Sequence, residues 1–435
     1  MRLRASHLHA CLADPVLDTM NFLNEVTMRF PRAISFAPGR PLERHFDSRR
    51  VLGEMLASVT ATSEELDKRM QYGPAKGIIC EAIAKMLRVD EKIEAAAEDI
   101  VITVGCQEAM FLAALSLRDA ERQNVLLVAE PSYVGIVGAS KMCDMPIEPV
   151  ACGPDGLSLQ SLRETIASVA ASGKRVAAVY VCPDFSNPDG TTMPLASRRE
   201  LLALAHTNDF LILEDNAYGM FAFDGERLPT LKSQDEHGHV VYLGTFSKLI
   251  FPGIRVGFMV AGQRVEHGSK TTSLADELGK LKSMITVNTP PASQLAVLAI
   301  LEQNQYSLEN LERAAIASYR NNRDGLLDAL ARHLPDAAAL GISWNRPAGG
   351  FFLTVHVPFE VTDDLLRHSA SAHEVIWVPM QYFYLRSGGE RQIRLAFSYV
   401  DHDRIDEGIA RFGTFLRETI TAQSSTAPSD KENLK

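Results

Sequence analysis

Short apolar runs rich in β-branched residues recur along the middle of this chain, and stretches with helical periodicity separate several of them. The runs cover residues 124–130, 175–183, 210–215, 239–247 and 255–262. The stretches 105–118 and 196–208 place apolar residues on one face at helical spacing. Buried strands that alternate with helices are typical of a mostly parallel sheet covered on both faces. The sequence therefore predicts an α/β fold.

The pattern changes after about residue 308, where a long helical stretch leads into a second, shorter set of strands and helices. We expect this second set to form a smaller α+β domain together with the N-terminal segment. A polar C-terminal tail is expected to be disordered. The predicted division is an N-terminal arm with part of the small domain (1–60), a large domain (61–315), the rest of the small domain (316–422) and the tail (423–435).

The overall charge limits the partners that this chain is expected to have. It carries 44 basic and 54 acidic residues, a net charge of −10, whereas nucleic acids and anionic membranes select basic surfaces. No run approaches the ~18 apolar residues of a membrane span, and no apolar signal region follows the basic start. We therefore expect a soluble, cytoplasmic protein with no nucleic-acid or membrane partner.

Cysteines occur singly, without a CxxC pair or a metal-ligand spacing, so we expect reduced thiols and no metal site. They are Cys11, Cys80, Cys106, Cys143, Cys152 and Cys182.

The stretch TFSKLIFPGIRVG, residues 245–257, combines an amine, hydroxyls and a guanidinium after an apolar run. Lys248 follows a predicted strand, so it should lie at the carboxyl edge of the sheet, where open α/β folds bind ligands. Its amine can form a Schiff base with an aldehyde. Arg255, with Thr245 and Ser247, suits a phosphate group. An amine beside a phosphate site is what pyridoxal 5′-phosphate requires.

Two further stretches supply the other groups that this cofactor needs. Asp215 ends the apolar run LILED, and a carboxylate there would keep the pyridine nitrogen protonated. Tyr218, three residues on, and Asn187, at an Asn-Pro turn after another predicted strand, can both reach the phenolic oxygen. Taken singly, Asp215 could be a helix N-cap and Asn187 a turn residue.

With these motifs the chain resembles a known family, the fold-type I pyridoxal-phosphate enzymes of the class I/II aminotransferase group. The resemblance extends over roughly residues 30–415. The resemblance implies a mostly parallel seven-stranded-type sheet between helices, a smaller α+β domain, and a homodimer with shared active sites. The segments that carry it are QYGPAKG (71–77), TVGCQEA (103–109), EPSYVG (130–135), FSNPDGT (185–191), EDNAYG (214–219), TFSKLIFPGIRVG (245–257), PAGGFF (347–352) and IRLAFS (393–398).

The resemblance also implies roles for individual residues around the cofactor. Lys248 would form the Schiff base and shuttle a proton, Asp215 would pair with the pyridine nitrogen, and Tyr133 would stack on the ring. Tyr72 would reach the phosphate in the partner subunit. For the phosphate, the implied groups are the backbone amides of Gly105, Cys106 and Gln107 with the side chains of Thr245, Ser247 and Arg255. For the phenolic oxygen, they are the side chains of Asn187 and Tyr218.

On the substrate side, the resemblance implies that Arg394 clamps the α-carboxylate. The N-terminal run 20–47 looks most like aminotransferases of secondary metabolism, the arylglycine transaminases among them, and in that group Gly39 would lie against the substrate. A surface salt bridge is the alternative role for Arg394.

Several positions depart from the family pattern. Cys80 stands where an arginine is common, and no arginine occurs in 285–294, the loop that lends dicarboxylate-specific relatives a second arginine. Arg40 and Arg44 could instead read an anion from the other side. Two roles are open for four further residues: they line an apolar or aromatic substrate pocket, or they pack in the core of the small domain. These residues are Met380, Tyr382, Phe383 and Tyr384.

The predicted activity is amino-group transfer between an amino acid and a 2-oxo acid. An alternative uses the same cofactor for elimination, replacement or carbon–carbon bond formation on an amino acid with a leaving group, such as S-adenosylmethionine. A third interpretation, an effector-sensing regulator, is disfavoured by the acidic charge and by the short segment ahead of the family motifs.

Overall fold

The computed structural model describes residues 3–58, 63–119 and 121–426. Its helices are α1 Pro15–Arg29, α2 Ser48–Ser58, α3 Ser63–Arg69, α4 Cys80–Met86, α5 Gly105–Leu117, α6 Val134–Met142, α7 Leu159–Ala171, α8 Leu195–Asn208, α9 Leu274–Ile285, α10 Pro291–Gln303, α11 Glu309–His333, α12 Asp363–Ala372 and α13 His402–Thr426. Its strands are β1 Ile34–Ser35, β2 Ile100–Thr103, β3 Asn124–Glu130, β4 Ile147–Gly153, β5 Gly156–Leu157, β6 Arg175–Val181, β7 Leu211–Asp215, β8 Val240–Thr245, β9 Gly257–Val260, β10 Arg264–His267, β11 Lys270–Ser273, β12 Ser343–Trp344, β13 Phe352–His356, β14 Val375–Ile376, β15 Val378–Pro379 and β16 Gln392–Ala396.

A large mixed sheet forms the centre of the molecule and confirms the predicted α/β fold. Within the described ranges its strand order is β2-β9-β8-β7-β6-β3-β4-β5. The strands β8, β7, β6, β3 and β4 pair in parallel. The strand β9, predicted only as a buried run, is antiparallel to both of its neighbours. The two-residue β5 adds an eighth strand to the expected seven-stranded type.

A second, antiparallel sheet of order β12-β13-β16-β15 lies in the C-terminal part of the chain. The N-terminal β1 pairs in parallel with β14, and Ile34 and Phe36 share a buried cluster with Ile376, Leu395 and Phe412. The N-terminal segment therefore packs with the C-terminal part.

The division into domains stays a prediction. The helix α2, which falls in the predicted arm, places Val51 and Met55 in a cluster with Leu295 and Ile300 of α10. The last helix runs to Thr426, four residues into the predicted tail, and residues 427–435 lie outside the described residues.

Several chain segments bring polar groups to one edge of the large sheet. The strand β7 ends at Asp215 and β8 at Thr245, while α5 begins at Gly105, just after β2. Because the carboxyl ends of parallel strands meet at one edge, this is where the candidate site forms.

No helix in the described ranges is long and apolar enough to cross a membrane. All six cysteines are free thiols.

Candidate active site

The amine of Lys248 lies just beyond the end of β8, in a partly buried position. Its Nζ donates a hydrogen bond to the carbonyl oxygen of Gly39 at 2.7 Å and lies 5.8 Å from the centroid of the Tyr218 ring. Burial, together with the charge of Arg394, lowers the pKa of Lys248 to about 8, whereas the charge of Asp215 opposes the shift. An amine that loses its proton near neutral pH is suited to nucleophilic and acid–base work.

This lowered pKa gives a testable prediction for the cofactor-free protein. Labelling of Lys248 by an amine-reactive reagent should rise with pH along a curve centred near 8, because only the neutral amine reacts. A lysine in an unfolded control peptide should follow a curve centred near ~10.4. Peptide mass spectrometry measures both rates, and coincident curves would contradict the shift.

Asp215 is buried at the end of β7. Its Oδ2 accepts a hydrogen bond from Tyr180 Oη at 2.6 Å, and its Oδ1 accepts one from the Cys106 thiol at 3.7 Å. Burial raises the pKa of Asp215 to about 6, while the hydrogen bonds from Tyr180 and Cys106 and the charge of Lys248 hold it down. At pH 7 the group is therefore mainly a carboxylate, as a partner for a pyridinium nitrogen requires.

The first turn of α5 and Arg255 together form a cup lined with hydrogen-bond donors. No side chain caps the helix at Val104, and first-turn N–H groups have no partner within a helix. Arg255 reaches across the cup, donating from Nη1 to Ser247 Oγ at 3.1 Å and from Nη2 to the Val104 carbonyl oxygen at 3.1 Å. Thr245 Oγ1 accepts from the Ser247 N–H at 3.2 Å. A helix N-terminus beside a guanidinium and two hydroxyls is a site for a phosphate.

Glycine is required at the floor of this cup. Gly105 has a φ of +72°, and a Cβ built on it would lie 2.2 Å from Arg255 Nη2. A Cβ on Gly257 would lie 2.7 Å from the Cys106 backbone nitrogen. The space that these two glycines leave open suits a compact anion, so the residues present fit the phosphate end of pyridoxal phosphate.

Replacing Gly105 by alanine should therefore weaken cofactor binding. The new methyl group would displace Arg255 and require a strained backbone, so we expect the dissociation constant for pyridoxal phosphate to rise about 10-fold or more. Fluorescence titration of the cofactor-free protein measures it. Gly53→Ala is the matched control, because a Cβ there has no atom within 4 Å. Equal affinity in both variants would contradict a role for Gly105 in binding the phosphate.

Arg394 lies in the middle of β16 with only 2% of its surface exposed, so a surface salt bridge is the wrong interpretation for this residue. Its Nη1 donates to Asn187 Oδ1 at 2.9 Å and its Nη2 to the Ala37 carbonyl oxygen at 2.8 Å. The rings of Phe352 and Phe383 flank the guanidinium at 4.5 and 4.7 Å. Burial lowers the pKa of Arg394 to about 10.

This buried cation has no carboxylate partner among the described residues, and its Nε has no hydrogen-bond partner there. A buried charge without a counter-ion is costly unless a ligand supplies one. The guanidinium is therefore placed to receive an anionic ligand.

Three other predicted residues lie near Lys248 and Arg394: Tyr218, Gly39 and Tyr133. Tyr218 is buried with its ring edge-on to Phe352 at 5.6 Å, and a Cβ on Gly39 would lie 2.2 Å from Phe352 Cζ. Tyr133 precedes α6, and burial, with the charge of Asp215, raises the pKa of its phenol. These three residues lie around the space between Lys248 and Arg394.

Asn187 differs from the prediction, and Gln107 and Tyr72 are the two predicted residues that remain. Asn187 does not end a strand: β6 stops at Val181, and Asn187 lies in the following loop, where Arg394 holds its amide oxygen. Gln107 donates its side-chain amide to the Gly135 carbonyl oxygen at 3.0 Å. Tyr72 is 84% exposed and does not join the other residues within one chain.

The four residues for which the sequence left a pocket or a core role open all belong to one buried cluster or pack against it. Met380 is buried in the core, and Phe383 packs on Arg394. Tyr382 donates to Asp363 Oδ1 at 2.6 Å and Tyr384 to Gln392 Oε1 at 3.2 Å. Phe383 therefore contacts a predicted substrate-binding residue, while the hydroxyls of Tyr382 and Tyr384 are bound to polar side chains.

Sequence reasoning missed two supporting groups. Tyr180, inside β6, positions Asp215, but a phenol in an apolar strand reads as an ordinary core aromatic. Glu108 accepts from the Val104 N–H at 2.6 Å and from the buried Lys282 Nζ at 2.8 Å, which fixes the start of α5. The acidic residue in the first helical turn is a signal that could have revealed Glu108.

The fold and this site define a fold-type I pyridoxal-phosphate enzyme. The sequence profile described as "Aminotransferase class I and II" matches residues 45–412. The chain belongs to this family and is a pyridoxal-phosphate-dependent aminotransferase.

Similar proteins are named transaminases. A (S)-3,5-dihydroxyphenylglycine transaminase of Amycolatopsis orientalis is 44% identical over 417 residues, covering 94% of this chain and 93% of the relative. An archaeal alanine:glyoxylate aminotransferase structure is 28% identical with a TM-score of 0.83, covering 96% of this chain and all of that one. A Pyrococcus horikoshii kynurenine aminotransferase, solved with PMP, KYN and KYA, is 27% identical with a TM-score of 0.81, covering 96% and 97%.

Proposed function

We propose that this aminotransferase takes the amino group of an aromatic amino acid of the arylglycine type, in secondary metabolism. The observation that carries the proposal is the buried Arg394 guanidinium, which has no protein carboxylate in the described structure and lies between the rings of Phe352 and Phe383. An α-carboxylate bound there would be held close to two aromatic side chains. The similarity to a dihydroxyphenylglycine transaminase supports the same substrate class.

In this proposal the chain's own residues divide the work. Arg394 binds the substrate α-carboxylate through a charge-assisted pair. Lys248 would take the proton from the substrate Cα and deliver it to the cofactor carbon C4′, on the other side of the substrate nitrogen. Asp215, held by Tyr180, would keep the pyridine nitrogen protonated. When bound, pyridoxal phosphate supplies the electron sink that makes the Cα proton removable.

The remaining predicted residues would hold the cofactor in place. Tyr133 would stack on its ring, and Asn187 and Tyr218 would reach its phenolic oxygen. The phosphate would lie in the cup formed by Gly105, Cys106, Gln107, Thr245, Ser247 and Arg255, and Gly39 would lie against the substrate.

We also place the working enzyme in the cytoplasm as a homodimer. Exposed apolar side chains, Met284 at 85%, Val287 at 48% and Tyr72 at 84%, suit burial against a second copy. In that dimer Tyr72 would reach the phosphate cup of the partner. Light scattering tests the state, and a monomer at working concentration would contradict it.

The substrate class is tested by the amine-to-cofactor half-reaction with single amino acids. Phenylglycine and its ring-hydroxylated forms should react with a higher kcat/KM than alanine or leucine, because an aromatic side chain gains ring–ring contacts with the residues around Arg394 that an aliphatic one lacks. An equal or faster reaction with the aliphatic amino acids would contradict the aromatic assignment while leaving the aminotransferase activity intact.

A further inference from the structure

More positive than negative charge surrounds the Lys248 amine. Besides burial, which lowers the pKa of Lys248 most, the charges of Arg394, Arg255 and Arg40 lower it as well, and Asp215 opposes them. Asp215 is the one acidic residue that acts on this amine among those causes. The described part of the site therefore carries more positive than negative charge, which favours the binding of anionic ligands.

The proposed function assigns an anion to two of the three arginines. Arg394 receives the α-carboxylate, and Arg255 receives the phosphate together with the start of α5. Asp215 is taken by the pyridine nitrogen. Arg40 has no assigned anion, and no carboxylate lies within ion-pair distance of it in the ranges that the structure describes.

The backbone around Arg40 runs alongside the site. The Ala37 carbonyl oxygen accepts from Arg394 Nη2 at 2.8 Å, and the Gly39 carbonyl oxygen accepts from Lys248 Nζ at 2.7 Å. The Arg40 carbonyl oxygen accepts from the buried Ser398 hydroxyl at 3.0 Å. Residues 37–40 are thus fixed between the carboxylate-binding and amine groups.

The side chain of Arg40 packs on an aromatic ring, but its hydrogen-bonding capacity is not fully used in the described structure. Its guanidinium carbon lies 4.1 Å from the centroid of the Tyr399 ring, and its Nε is buried without a hydrogen-bond partner in the described structure. Stacking on an aromatic face leaves the edge of a guanidinium free for a bidentate anion. Arg40 is therefore preorganised for a ligand.

A neighbouring arginine provides the contrast. Arg44 Nη1 pairs with Asp401 Oδ1 at 2.9 Å, and both side chains are about half exposed. The charge of Arg44 is therefore already paired with that of Asp401 at the surface. Of the two arginines that the sequence suggested for anion binding, Arg40 is the one that remains available. The loop 285–294 offers no arginine for this purpose.

We propose that Arg40 is a specificity-determining residue that binds the side-chain carboxylate of a dicarboxylic substrate, such as glutamate or its 2-oxo acid, in one of the two half-reactions. The aromatic substrate uses the same active site in the other half-reaction, where it offers Arg40 no side-chain carboxylate. The proposal rests on the proposed function, because Arg394 must hold the α-carboxylate of both substrates.

The test compares Arg40→Gln and Arg40→Lys with the matched control Arg44→Gln, all as holoenzymes. Single-turnover half-reactions give kcat/KM for glutamate and for phenylglycine, and calorimetry gives the dissociation constants of two unreactive ligands, glutarate and butyrate. Loss of a charge-assisted pair should lower the glutamate-to-phenylglycine ratio about 10- to 100-fold in Arg40→Gln. The ratio should fall less in Arg40→Lys, which keeps the charge but not the fork, and should not change in Arg44→Gln.

Glutarate binding supplies a readout that does not depend on turnover. Glutarate should bind the wild type more tightly than butyrate, and Arg40→Gln should abolish that difference. Equal binding of the two ligands by the wild type, or an equal loss for glutamate and phenylglycine in Arg40→Gln, would overturn the assignment. A wild type that accepts the amino group of phenylglycine but shows no preference for glutarate would overturn this inference alone, whereas one that reacts with no amino acid would overturn the proposed function.

Discussion

Replacing Lys248 by alanine is expected to lower the rate of amino-group transfer by about 10⁴-fold or more, because one residue supplies both the cofactor linkage and the proton transfer. The variant should also lack the visible band near ~420 nm that a lysine-linked pyridoxal phosphate gives. The position of the amine, 2.7 Å from the Gly39 carbonyl oxygen and beside Asp215, is the basis for the expectation.

The control for this experiment is Lys280→Ala, which removes an exposed lysine paired with Glu277 on α9. Stopped-flow absorbance with an amino acid donor measures both variants at matched cofactor saturation. A Lys248→Ala protein that keeps the visible band, or turns over like the control, would remove this lysine from the chemistry.

Replacing Arg394 by methionine is expected to lower kcat/KM for carboxylated amino acids by about 10²- to 10³-fold. The guanidinium is buried between two aromatic rings, where losing one partner of a charge pair costs about 2–5 kcal/mol. Benzylamine is the matched ligand for phenylglycine, since it lacks only the carboxylate. Its slow reaction should change far less, and an equal loss for both amines would indicate a structural role instead.

The Arg394→Met variant also allows a comparison of stability without ligands. The loss of this unpaired buried arginine can be compared with the loss of a buried arginine that is paired. Arg198 is fully buried and pairs with Asp184, so Arg198→Met leaves an uncompensated carboxylate and should cost about 3–5 kcal/mol in the free energy of unfolding. Arg394→Met leaves no such charge and should cost clearly less. Denaturant unfolding of the two cofactor-free variants measures the difference.

The residues that the structure brings together in the candidate site could be predicted because their chemistry is concentrated in short strings near strand ends. Asp215 ends and Lys248 follows a parallel strand, and Arg255 precedes the antiparallel β9, so all three lie at the same edge of the sheet. The alternation of strands and helices likewise predicted the sheet. The antiparallel direction of β9 was not predictable, since a short buried run looks the same in either orientation.

The supporting contacts could not be predicted because they join residues far apart in the chain. The Ala37 carbonyl oxygen contacts Arg394 across 357 positions, and Lys282 reaches Glu108 across 174. No local pattern encodes such pairings. Likewise, Arg40 and Arg44 look equivalent in sequence, and the structure separates them through Asp401.

The most direct test of the central claim is a spectrum of the purified holoenzyme, titrated with phenylglycine and without any added 2-oxo acid. We predict that the band near ~420 nm converts to one near ~330 nm, the position of the amine form of the cofactor, with one equivalent of 2-oxo acid released. A spectrum that stays unchanged with every amino acid, while S-adenosylmethionine loses its thioether group, would contradict amino-group transfer and favour the elimination chemistry instead.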